Sequence, residues 1–141
     1  MLRLGMLGLV ALGTAGMLSD LVLIGHLEDT NQLIPLGVGA VGLAAVGWAA
    51  FRPVMAALRF LQFVMLLYVG TGIIGATLHA QASAEFQREM DPAIGGVDLV
   101  RKVLAATAPP TMAPGVLVQL GLLGLLFTYK HPALSAPGRE D

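Results

Sequence analysis

The residues in this chain with the means to do chemistry are two histidines and a few carboxylates. His26, Glu28 and Asp29 belong to the stretch DLVLIGHLEDTNQLIP, residues 20–35, which leaves an apolar run at His26 and re-enters one at Leu33. His79 and Glu85 follow the end of a later apolar run. Imidazole and carboxylate together suit a divalent metal such as zinc, manganese or iron. The candidate metal ligands are therefore His26, Glu28, Asp29, His79 and Glu85. Two histidines on neighbouring helices can also hold a haem from both sides. The spacing itself is not a metal signature, because no two histidines are paired on one helix turn in the HExxH manner. The plainer alternative is that both histidines close helices, where an imidazole interacts well with the C-terminal dipole.

Asp20 is a second kind of candidate. It lies inside the first apolar run, with Gly13 and Gly16 seven and four positions before it. That spacing puts the acid on a small-residue face suited to a neighbouring helix. An acid within a membrane span is a candidate proton or cation carrier, and its alternative is a hydrogen bond across the helices or to outer water. Gly72, Gly75 and Ala76 precede His79 in the same way, and such small-residue pairs most often mean helix packing.

Other chemistries are excluded. The chain has no cysteine, which removes thiolate metal sites, disulfides and cysteine nucleophiles. A net charge of -1 leaves no basic patch for nucleic-acid phosphates. Gly70, Gly72 and Gly75 match a nucleotide-loop pattern by letter, but they sit inside an apolar span with no strand before them.

The elements that must position these groups are membrane helices. Of the 141 residues 56% are hydrophobic and only 12% charged, about half the charge of a soluble domain. Such a chain lacks the polar surface to face water on all sides, so lipid must cover part of it. The sequence predicts an all-α membrane protein, one domain over 1–141, with four spans at about 4–24, 33–50, 54–79 and 113–129. The first run extends past the small residues Gly13, Thr14 and Ala15, which is long for a cleaved leader, so a retained helix is expected. Thr30 or Asn31 is expected to cap the second span, with Pro35 in its first turn.

The third helix is expected to run on into water as far as Met90, where Asp91-Pro92 ends it. Beyond Gly95-Gly96, an amphipathic helix is expected from VDLVRKVLAAT, with Val97, Val100, Val103 and Leu104 opposed to Asp98, Arg101 and Lys102. The tail, 130–141, reads as flexible. The whole is an up-down four-helix bundle with this extra helix in the loop between helices 3 and 4.

Orientation follows Lys and Arg. The side bearing Arg3, Arg52, Arg59, Lys130 and Arg139 has a balance of +3, and the other side, with Arg88, Arg101 and Lys102 among six acids, has -3. Both termini are therefore expected in the cytoplasm. In general character the chain resembles small bacterial inner-membrane proteins. Its expected partners are the lipid bilayer and other membrane subunits, or further copies of itself. With so little catalytic apparatus, a non-enzymatic accessory or scaffold subunit is the leading expectation. A metal- or haem-binding protein comes second, and an oligomeric transporter coupled through Asp20 third.

Overall fold

The computed structural model describes residues 2–25, 30–105 and 113–135, with no strand among them. The helices in order are α1 (Leu2–Leu23), α2 (Thr30–Phe51), α3 (Met55–Met90), α4 (Gly96–Leu104), α5 (Ala113–Thr128) and α6 (Pro132–Ser135). Three segments are long and apolar enough to cross a membrane: Leu2–Leu23, Gln32–Phe51 and Met55–Met90. α5 is also apolar but has only 16 residues, a length of about 24 Å.

α1 packs against α2 and α5, and α3 packs against the same two, most extensively against α5. On α1 the buried face is Leu7, Val10, Thr14, Met17 and Leu21, alternating three and four residues apart as one side of a helix must. Helices apolar on every side associate through close packing rather than through water exclusion. Glycine makes that approach possible at two places between α3 and α5. A Cβ on Gly72 would lie 2.6 Å from the Pro114 carbonyl oxygen, and one on Gly121 would lie 2.7 Å from that of Met65. The outward faces stay apolar, with Leu9, Leu12, Val41, Phe63, Leu66, Ile73 and Leu122 all exposed. A surface of this kind suits lipid.

α3 is the long element. Its 36 residues reach about 54 Å at 1.5 Å each, well beyond a hydrocarbon core of about 30 Å. Every buried residue on it falls between Ala57 and Gly72. Beyond the apolar run that closes at Leu78 it is an overhang, and it ends where expected. Asp91 leaves helical conformation at φ -144° while its N–H still bonds the Gln87 carbonyl. Its carboxylate then accepts from the Ala93 N–H at 3.2 Å, starting the turn into α4.

α4 leans back on α3. Leu99 and Val103 are the buried residues of α4, while Val97, Val100 and Leu104 stay exposed. Of the apolar stripe read from the sequence only Val103 is covered, and Leu99, which that stripe did not include, is the other residue turned inward.

One boundary differs from the sequence reading. α2 begins at Thr30, one or two residues before the start that a cap at Thr30 or Asn31 implies, so Thr30 is a helical residue and Pro35 lies in the second turn. There the ring removes a helical hydrogen bond to the Asn31 carbonyl. In the tail, residues 132–135 form a helical turn, with the Leu134 N–H on the His131 carbonyl at 2.9 Å. Residues 136–141 lie outside the described part.

Candidate functional site

Three polar arrangements sit at different levels of the molecule. The first closes the end where α1 begins and α5 stops. The last carbonyls of a helix have no partner within it, and on α5 a side chain from the far end of the sequence supplies one. The Arg3 guanidinium donates to the carbonyl oxygens of Phe127 at 2.6 Å, Tyr129 at 3.1 Å and Lys130 at 3.1 Å. Lys130 adopts φ 47°, the left-handed conformation in which helices commonly stop. Beside it, the Gln62 amide donates to the Thr128 hydroxyl at 3.1 Å, which donates to the Leu125 carbonyl at 2.8 Å. The Trp48 and Phe60 rings meet at a tilt of 49°, centroids 5.9 Å apart, where α2 ends and α3 begins. His131 lies against Phe127 at 5.4 Å, and its Nδ1 accepts from the Ala133 N–H at 3.3 Å. Burial, and then the Arg3 charge, hold the His131 imidazole below its usual range.

The second arrangement lies in the middle of the helices. Tyr68 is fully buried, and its hydroxyl donates to the Gly39 carbonyl at 3.2 Å. The phenol has only one proton, so the Thr14 hydroxyl, 3.2 Å away, must be the donor to the Tyr68 oxygen. Gly42 makes the room, since a Cβ there would overlap the Tyr68 hydroxyl. One residue from each of α1, α2 and α3 is thereby locked to the others. No buried side-chain polar atom among the described residues lacks a partner.

The third is a cavity of about 500 Å³ at the opposite end, where α1 stops and α2 and α5 start. Met17 and Leu21 of α1 and Leu117 of α5 form its deeper wall. Thr71 and His79 of α3 and Gln32 of α2 are the polar groups on its lining. Its volume and mixed lining fall within the range of small-molecule sites.

The sequence candidates fall as follows. His79 is exposed, at the rim of this cavity. Glu85 is exposed on the same unbroken helix. Six residues of helix put it about 9 Å along the axis and about 120° around from His79, so the two do not converge. Among the described residues no three His, Asp or Glu side chains come together as a metal's ligands. His26, Glu28 and Asp29 lie outside the described residues. Asp20 is exposed and is not part of the cavity lining. Gly13, on the face read as its packing side, does take Leu120 of α5, but Gly16 faces open space.

Sequence reasoning missed Tyr68, Thr14 and the capping role of Arg3. The available signal was a tyrosine deep in an apolar span, because a hydroxyl in that setting must find a partner. No protein-family model, curated protein or solved structure matches this chain.

Proposed function

We propose that this chain is a four-span protein of a bacterial inner membrane, an up-down bundle of α1, α2, α3 and α5 with both termini in the cytoplasm. Its role in this reading is that of a non-enzymatic accessory or scaffold subunit of a larger membrane complex. α5 then spans with little tilt or with local thinning of the bilayer. The basic and aromatic end, with Arg3, Arg52, Arg59, Lys130 and Trp48, suits the cytoplasmic interface.

The observation that carries the accessory role is the arm made by the overhang of α3 together with α4. It bears Phe86 (57% exposed), Met90 (71%) and Val97 (83%), along with Val100 and Leu104, on an element that leaves the apolar span. Around them stand Glu85, Arg88, Glu89, Asp98, Arg101 and Lys102, all exposed. Apolar groups rimmed by charge outside the hydrocarbon layer mark a protein-binding surface. The test places a photo-crosslinking residue at Phe86 or Val97 in native membranes, with Leu122 on the lipid face as control. A discrete protein adduct from the arm positions alone is expected. A chain that migrates alone and gives no adduct would sink the proposal.

A metal-binding reading keeps one supporting observation. Leu21 and Gln32, on either side of the connection that carries His26, Glu28 and Asp29, both line the cavity that His79 borders. Elemental analysis and a visible spectrum of wild type beside His79→Ala decide it. Metal or a haem band lost in the variant supports a site, and a colourless, metal-free wild type removes it.

A further inference from the structure

The cavity at the His79 end has the shape and polarity of a place for one lipid chain, and we infer that it holds the tail of a membrane lipid, head group beside His79 and Gln32. Three observations lead there. Its lining on α3 runs from Thr71 to Ala82, about 16 Å of helix, which is close to half of a hydrocarbon core of about 30 Å. The deep wall is apolar apart from Thr71, whereas His79 and Gln32 sit at the end where α3 passes from apolar sequence into AQASAEFQRE. Tail inward and head at the interface is the order in which one leaflet is built. Third, Ile34, Ile74 and Leu78 both line the cavity and stand exposed on the outer surface, so it communicates with the layer that lipid occupies.

A chain taken up here is held by four helices, whereas a lipid against the outer faces touches one or two. It should therefore exchange more slowly than its neighbours. The inference rests on the membrane-spanning reading but not on the accessory role.

The experiment is lipid analysis by native mass spectrometry of the full chain, extracted gently and then washed in detergent. Wild type is compared with Thr71→Leu, which fills the deep part, and Ala82→Trp, which narrows the mouth. Leu122→Trp on the far face of α5 is the control. Wild type and control are expected to keep one phospholipid per chain, and each filling variant to keep at least tenfold less. Equal retention in all four, or none in wild type, overturns the site.

A second measurement needs no change inside the cavity. In a Trp48→Phe background, tryptophan placed at Leu78 is compared with tryptophan at Val41, in bilayers of phospholipid with brominated chains. After dilution into unbrominated lipid, quenching at Leu78 is expected to persist at least tenfold longer than at Val41. Equal decay at the two positions overturns the proposal. If lipid is not retained but the chain still needs detergent for extraction, the site fails and the membrane reading stands.

Discussion

At one end of the molecule Arg3, Gln62 and Thr128 tie α1, α3 and α5 together through hydrogen bonds, while at the other the same helices part around a cavity of about 500 Å³. α3 runs through both regions and shows the contrast within one element. From Ala57 to Gly72 it carries all its buried residues, and from Ile73 to Met90 it carries none. The first half is a structural stave, packed by glycine contacts and pinned by Tyr68. The second half borders a cavity and then becomes an arm. Packed and exposed stretches are thus separated along a single helix, and substitutions in the two halves should fail in different ways.

The sharpest break is expected in the packed half. In Gly121→Val a side chain is forced against the Met65 backbone, where a Cβ alone would sit 2.7 Å from the carbonyl oxygen. Backbone cannot give as a side-chain tip can, so a loss of about 3 kcal/mol is expected. Gly16→Val meets open space and should change stability by no more than about 0.5 kcal/mol. Thermal unfolding of both in the same detergent checks the pair. Equal losses would mean that the α3–α5 contact is not what holds this half together.

Tyr68→Phe is a smaller cut in the same region. It removes the bonds to Gly39 and Thr14 while keeping the ring. Thr14 can turn its hydroxyl to a carbonyl one turn back on α1, so the cost is expected near 1 kcal/mol. The double variant Tyr68→Phe/Thr14→Val should cost less than the sum of the two single changes. Strict additivity would show that the hydroxyls do not act as a pair.

Much of the fold was legible because the relevant signals are local. The apolar runs of the three long helices and the end of α3 at Asp91-Pro92 are each written within consecutive residues. What was not legible depends on pairs far apart in the chain. Arg3 and Phe127 are joined only once α1 and α5 lie side by side. Thr14 and Tyr68 meet only once α1 and α3 do. Periodicity gives little help here, because a helix apolar on all faces does not show which face will be covered. The same limit hid the cavity, whose walls come from four helices. For Asp20 the small-residue pattern was real, but only Gly13 of that face is used by a neighbour.

At the closed end the expected effects are smaller, since part of it faces water. Arg3→Ala leaves the last carbonyls of α5 to solvent and should cost about 0.5 to 1 kcal/mol. Arg3→Lys keeps the charge but replaces a fork that reaches three carbonyls with a single ammonium, so it should recover only part of the loss. Thermal unfolding at low and at high salt checks this. A full rescue by lysine would mean that charge, not geometry, is what the end of α5 requires.

His131 gives the smallest effect, and its sign can be worked out. Burial and then the neighbouring Arg3 charge lower its pKa in the folded chain below the usual 6.5. Above about pH 6.5 the imidazole is neutral whether the chain is folded or not, so it contributes no pH dependence there. As pH falls below that value the unfolded chain takes up the proton first, and stability is lost until the folded group protonates too. Protonation of Nδ1 would also remove the acceptor that the Ala133 N–H uses, loosening the start of α6. Lowering the pH from about 7.5 to about 5.5 should therefore reduce the melting temperature of wild type more than that of His131→Gln. Removing the Arg3 charge in Arg3→Gln should shrink the difference, because one of the two causes is then gone. Parallel melting curves for wild type and His131→Gln across that window would show that the closed end does not sense protons at all.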